Sequence, residues 1–356
     1  MAYCSLLPLD VVHTLRRTRR EQFMANPRID VLGIGNAIVD VIARAEDDFL
    51  VRHGMRKGTM TLIDEERAEA VYDAMGAAIE ISGGSAANTT VGLASFGARA
   101  AFVGKVKNDT LGHTFIHDIR AAGVAFDTPP AAEGPSTARC YILVTPDGER
   151  TMNTYLGAAQ DLHPNDIDAE KVAGAAVTYL EGYLWDPKNA KDAFLKAAAA
   201  AHNAKRLVAL TLSDAFCVDR WRDEFLALMR AGTVDLIFAN EAELKALYQT
   251  ADFDSAVAGL RQDARLAVVT RSEKGCVIVS RKGTQAVRAF PVERLVDTTG
   301  AGDLFAAGFL LGLARGKDHV SAARLGALAA AEVIQHLGAR PETPLKALAA
   351  ENGLLV

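Results

Sequence analysis

The chain has 356 residues, half of them hydrophobic and 6% aromatic, with a formal net charge of −5. That length and apolar content support a large core, in one big α/β domain or two smaller ones. The acidic balance excludes a basic docking surface, so neither nucleic acid nor a membrane is expected as a partner. No apolar run reaches the length of a membrane-spanning helix. Cys4, Cys140, Cys217 and Cys276 are far apart and form no C-x-x-C pair. They point to neither a zinc knuckle nor a redox dithiol and suit a reduced, cytoplasmic compartment.

In chain order, residues 1–28 are expected to form a disordered N-terminal extension, with Met24 as an alternative start. Their apolar stretch, 6–12, precedes Arg16, Arg17, Arg19 and Arg20, the reverse of a secretory signal. Residues 29–34 read as a buried strand, 65–79 as a helix and 89–96 as a helix beginning near Ala87. A strand is predicted over 100–106 and a helix over 109–122, closed by Gly123. Residues 140–144 and 151–155 flank T-P-D-G-E-R and predict an antiparallel hairpin. Strands then alternate with helices. The strands fall near 177–180, 207–212, 236–239, 266–270 and 276–280, the helices near 190–203, 219–230, 241–248 and 254–261. This alternation predicts a mostly parallel sheet covered on both faces.

The most informative stretch is Asp297-Thr298-Thr299-Gly300-Ala301-Gly302-Asp303, followed by an apolar, small-residue run suited to a buried helix. Gly300, Ala301 and Gly302 let the backbone turn tightly and present successive N–H groups, and a helix N-terminus attracts anions. Asp303 in that first turn repels a resting phosphate. It fits a site where a carboxylate takes a hydroxyl proton while the N–H groups hold a phosphoryl group in transfer. The plainer alternative is a Gly-rich turn with an acidic first-turn residue.

A second stretch, 82–90, reads S-G-G-S-A-A-N-T-T. Gly83 and Gly84 allow close backbone approach to a ligand, and Asn88 offers donors and acceptors to hydroxyls. A loop leading into a capped helix is the alternative. Gly33-Ile34-Gly35 opens like a dinucleotide fingerprint, but Ile38 stands where its third glycine belongs, so a nicotinamide cofactor is rejected. Asn240-Glu241-Ala242-Glu243 after the 236–239 strand reads by itself as a helix start with acid in its first turn. None of the eight histidines falls in a metal-binding spacing; His113 and His117 read as surface residues.

These stretches, in this order, resemble the two signatures of the ribokinase-like (PfkB) carbohydrate and nucleoside kinases, over about residues 29–345. The resemblance implies an α/β, ribokinase-like three-layer sandwich over 29–356, with a mostly parallel central sheet. It also implies a small β-sheet lid from about 37–62 and 137–155. Asp303 then becomes the catalytic base and Gly300, Ala301 and Gly302 the anion hole. Asn36, Asp40, Gly83, Gly84 and Asn88 become binders of sugar or ribose hydroxyls, and Arg139 in the lid a further substrate contact. Asn240, Thr270, Ser272, Gly275 and Val292 match the ATP side, with the 322–333 helix as a further adenine wall. Glu243 is placed on Mg²⁺ through water. Asp297 and Thr299, with the Gly338 region, match a monovalent-cation site, K⁺ being the ion expected.

Leu212-Ser213-Asp214-Ala215-Phe216 resembles the L-S-x-x-F stretch of the adenosine kinase branch. The expected reaction is ATP-dependent phosphorylation of a primary hydroxyl, the 5′-hydroxyl of adenosine in the leading reading. Tyr183 and Trp185 are candidates to stack on the base. A ribokinase- or fructokinase-like sugar kinase is the alternative, and a non-catalytic ligand sensor a third. The expected partner is a small nucleoside or sugar, and the protein a monomer or homodimer.

Overall fold

The computed structural model describes residues 27–354. The expected disordered extension therefore lies almost wholly outside the described residues. The strands, in chain order, are β1 (Ile29–Ile34), β2 (Ile38–Arg44), β3 (Met60–Leu62), β4 (Ala78–Gly83), β5 (Ala100–Val103), β6 (Ala125–Phe126) and β7 (Ala138–Val144). Then come β8 (Arg150–Tyr155), β9 (Ala175–Glu181), β10 (Leu207–Thr211), β11 (Leu236–Asn240), β12 (Leu266–Thr270), β13 (Cys276–Ser280) and β14 (Gly283–Val287). They build a nine-stranded sheet, ordered β14-β13-β12-β11-β10-β9-β1-β5-β6, and a five-stranded sheet, ordered β3-β8-β7-β2-β4.

In the large sheet every pairing from β12 to β6 is parallel, and β13 and β14 add an antiparallel edge. Its central strands are buried on both faces, which explains their near-continuous apolar runs. Successive residues feed opposite cores. Val31, Tyr179, Ala209, Phe238 and Val268 belong to one. Leu32, Leu180, Leu210, Ile237 and Val269 belong to the other. The first core is closed by the Ser85–Ser95, Thr110–Ala121, Ala301–Ala314 and His319–Val333 helices, the second by Lys188–Asn203, Ala215–Arg230, Glu241–Tyr248 and Phe253–Asp263. This is the expected three-layer sandwich.

Small residues set the packing of the first layer. A Cβ on Gly308 would lie 2.4 Å from the Gly326 backbone nitrogen, so the Ala301–Ala314 and His319–Val333 helices meet backbone to backbone. A Cβ on Gly92 would lie 2.6 Å from Leu304 Cδ1, which fixes how closely the Ser85–Ser95 helix approaches the same partner.

Two expectations change around β4. The 65–79 helix ends at Ala74, and β4 begins at Ala78. Gly76 separates them, and Ile79 and Ile81 then follow a period of two. The 89–96 helix starts earlier, at Ser85, because Gly84 takes φ 98° and turns the chain directly out of β4.

Replacing Gly308 with Ala should cost about 1–3 kcal/mol through overpacking, read as a lower urea midpoint at unchanged slope. Gly302→Ala is the control, since nothing lies within 4 Å of its Cβ position. A Gly308→Ala midpoint equal to the wild type would show that the helix pair can separate freely.

Candidate active site

Parallel strands deliver their carboxyl ends to one edge of the sheet, and ligands of open α/β sheets gather there. Asn36 follows β1, Glu181 ends β9, Ser213 follows β10, Asn240 ends β11 and Thr270 ends β12. The Ser85–Ser95 and Ala301–Ala314 helices bring their N-termini to the same place, because Ser85 and Asn88 both reach Asp303.

Gly300 caps the Ala301–Ala314 helix in the left-handed region at φ 78°. A Cβ there would sit 2.7 Å from Ala339 Cα, so the turn requires glycine twice over. Gly302 faces open space. Asp303 is half-buried. Its Oδ1 accepts from Ser85 Oγ at 2.7 Å and its Oδ2 from Asn88 Nδ2 at 3.3 Å. Burial pushes its carboxyl up to about 6, against the pull of these two hydrogen bonds.

Asp40 projects from β2 toward this point. Burial raises its carboxyl to about 6; Arg340 and Arg150 act against that, and Asp303 adds to it. A Cβ on Gly83 would lie 2.3 Å from Asp40 Oδ2, so Gly83 is the notch that admits the carboxylate. A Cβ on Gly84 would lie 2.3 Å from the Asn36 carbonyl. Asn36, Asp40, Gly83, Gly84 and Asn88 are thus gathered around Asp303.

Three residues of the cleft carry no sequence signature. Glu181 is 1% exposed. Its Oε1 accepts from Asn36 Nδ2 at 2.6 Å and its Oε2 from Ala86 N at 2.8 Å, and burial pushes it up to about 7. It leaves Asn36 Oδ1 buried without a partner. The one available signal was an acid ending an otherwise apolar strand. Arg150, at the start of β8, reaches Asp297 at 2.8 Å. Arg340 donates from Nη1 to Asp118 at 2.9 Å and from Nη2 to Ser82 Oγ at 2.6 Å, joining the end of β4 to the loop after the His319–Val333 helix.

Arg139 is corrected. Asp40 pairs across the small sheet with Cys140, and Arg139 with Val39. Alternation therefore turns Arg139 to the opposite face, where Nη1 donates to Ser136 Oγ at 2.7 Å and the guanidinium lies 5.0 Å from the Tyr155 ring centroid. It does not enter the cleft. Trp185 is also corrected as a stacking residue. It is 3% exposed, packs on Phe194 and Phe225, and donates to Glu224. Tyr183 donates its hydroxyl to the Ser213 carbonyl at 3.2 Å.

On the other side, Asn240 and Thr270 are register partners at adjacent strand ends. Asn240 caps the Glu241–Tyr248 helix in a capping box with Glu243, each side chain meeting the other's backbone N–H. Glu243 is buried and pushed up to about 7 by burial. Its two oxygens each accept from Asn240, leaving a lone pair apiece. Each oxygen thus keeps room for one further hydrogen bond, which a bridging water can fill. Ser272 at φ 51° and Gly275 at φ 83° shape the loop after β12, and Val292 is 37% exposed on the loop before Asp297. The Asp297 and Thr299 side chains, expected around a monovalent cation, are engaged with each other and with Arg150. His113 and His117 are exposed, as expected. Among the described residues no cluster of three or more His, Cys, Asp or Glu could hold a metal, and no helix is long and apolar enough to cross a membrane.

A glycine-turned helix N-terminus with a carboxylate raised in its first turn, beside Asn36, Asp40 and Asn88, suits a phosphotransferase acting on an alcohol group. The chain matches the pfkB family carbohydrate kinase description over residues 61–346 and belongs to that family. It is a small-molecule kinase, and ATP with Mg²⁺ is the phosphoryl donor system the family implies. A solved adenosine kinase from Sinorhizobium meliloti is 54% identical, with a TM-score of 0.85, over 91% of this chain and 99% of that one. A solved probable sugar kinase from Rhizobium etli CFN 42 is 52% identical, with a TM-score of 0.87, over 92% and 100%. The adenosine kinase of Saccharomyces cerevisiae is 28% identical over 86% of this chain and 94% of its own length.

Because the folded pKa of Asp303 lies above its ordinary 3.8, its contribution to stability is present below the ordinary value and is lost as pH rises through about 6. Asp303→Asn should therefore melt above the wild type near neutral pH, and the gap should close toward about pH 4. A lower melting temperature near neutral pH would mean that the Ser85 and Asn88 hydrogen bonds outweigh burial.

Proposed function

We propose that this kinase phosphorylates the 5′-hydroxyl of adenosine, with Asp303 as the general base. The observation that carries the nucleoside reading is the face of the small sheet that bears Asp40 and Arg150. By alternation that face also bears Ile38, Ile42 and Ile81, with Ile142 and Met152 beside them. An apolar ceiling with one carboxylate suits a flat base above ribose hydroxyls better than a small, fully hydroxylated sugar. The S. meliloti adenosine kinase, similar over nearly the whole chain, supports the same choice. The free-sugar alternative draws on the buried, unpartnered Asn36 Oδ1 over Glu181, an extra acceptor for a hydroxyl.

In this reading Asp40, Asn36, Asn88 and the Gly83–Gly84 backbone hold the ribose. Asp303 takes the proton from the 5′-hydroxyl, whose oxygen forms the new bond to the γ-phosphorus as the bond to ADP breaks. The Gly300 and Gly302 N–H groups face the transferring phosphoryl oxygens, while the Ala301 N–H closes the turn onto the Thr298 carbonyl at 3.2 Å. ATP lies over the Asn240, Thr270, Ser272, Gly275 and Val292 side of the edge. Mg²⁺ supplies charge neutralisation on the phosphates, with Glu243 contacting it through water. The small sheet acts as a lid, built from β4 as well as from 37–62 and 137–155, and its closure excludes water. The reduced Cys140, Cys217 and Cys276 suit a cytoplasmic setting.

ADP release should be fastest with adenosine in a panel of nucleosides, ribose, fructose and acidic sugars, and turnover on a free sugar alone would reject the nucleoside reading. Asp303→Asn should lower kcat by at least about 10²–10⁴-fold, while calorimetry shows adenosine still bound. Retained turnover would remove Asp303 from the mechanism.

A further inference from the structure

The loop that shapes the anion hole is pinned through Asp297, and its partners take up the lone pairs of the carboxylate. Asp297 Oδ1 accepts from Thr299 N at 3.0 Å and from Thr299 Oγ1 at 2.7 Å. Oδ2 accepts from Gly338 N at 2.9 Å and pairs with Arg150 Nη1 at 2.8 Å. An ionised carboxylate has about four lone-pair sites, and all are taken. Thr299 Oγ1 also accepts from Arg150 Nη1, at 3.1 Å. The Arg150 and Asp297 side chains are 9% and 7% exposed, so water does little to screen the pair.

A buried carboxylate that stays charged is stabilised by a cation beside it. The monovalent cation that the family resemblance implies at Asp297 and Thr299 does not fit these donors. To enter, it would have to displace a guanidinium and then sit against it, with like charges a few ångströms apart in a poorly hydrated site.

We propose that Arg150 is this chain's built-in cation for the 297–302 loop, so that the loop is ordered, and the kinase active, without K⁺ or Na⁺. Arg150 is a positioning residue in this role. It holds Asp297, Asp297 holds Thr299 and Gly338, and that fixes the turn at Gly300 next to Ala339. Since Arg150 opens β8, the charge that orders the anion hole is supplied by the small sheet. The turnover arm below rests on the kinase reading, whereas the melting arm does not.

The test compares wild type, Arg150→Gln and Arg150→Lys in tetramethylammonium chloride and, at equal ionic strength, in KCl or NaCl. Melting temperature is read in every case, and ADP release with adenosine, ATP and Mg²⁺ alongside it. The wild type should give the same melting temperature and the same turnover in all three salts. Arg150→Gln, with Asp297 Oδ2 freed and the charge removed, should melt lower in tetramethylammonium and regain stability in KCl or NaCl. Arg150→Lys keeps a charge and should stay indifferent to the salt. A wild type that melts higher or turns over faster in K⁺ or Na⁺ overturns the proposal. So does an Arg150→Gln protein whose melting ignores both ions. Should Arg150→Gln fail to fold in every salt, K⁺ has not replaced the guanidinium and the proposal is equally overturned. An absence of adenosine turnover with the melting pattern intact would reject the substrate and leave the built-in cation standing.

Discussion

Everything in the cleft depends on one junction: the Asp303 carboxylate, held by the side chains of a second helix. Asp303 belongs to the first turn of the Ala301–Ala314 helix, and Ser85 and Asn88 to that of the Ser85–Ser95 helix. Two N-termini, each the positive end of a helix dipole, meet at one negative group. The approach is possible because Gly92 faces Leu304 and Ala307 with no side chain of its own. A carboxylate so placed stays mostly ionised at neutral pH, while burial raises it far enough to make it a better proton acceptor than an ordinary one.

Around that junction the structure tolerates several buried acids. Asp40, Glu181 and Glu243 are all pushed upward, burial being the largest cause in each. Such groups cost stability in their charged forms, and they concentrate at working sites. Arg150 and Arg340 temper two sides of the cluster, one at the anion-hole loop and one at the end of β4. Both tie the small sheet to the loops flanking the Ala301–Ala314 and His319–Val333 helices, so the electrostatics of the cleft and the seating of the small sheet are one problem.

Much of this was legible in the sequence, and the limits have physical causes. The strands predicted at 266–270 and 276–280 coincide with β12 and β13, because doubly buried strands are apolar runs bounded by turn residues. The glycine-rich stretches were legible because backbone approach and left-handed turns demand glycine, as at Gly84 and Gly300. β4 was hidden by its few residues and by the helical pattern just before it. Arg139 was misplaced because a one-residue step in β7 reverses the face, and that register is set by pairing with β2, nearly a hundred residues earlier in the chain. Arg150, Glu181 and Arg340 act across comparable separations and carry no local pattern. Local patterns thus located the glycine turn at 300–302, while the charges that hold it in place emerged only from the assembled fold.

Asp303 acting as a base whose carboxyl is raised by burial is tested most directly by the pH dependence of kcat/KM for adenosine. The predicted profile falls on the acid side with an apparent pKa near 6, as the carboxyl takes up its proton. A profile that stays flat through that region, with rate lost only in the ordinary carboxylate range, would contradict it.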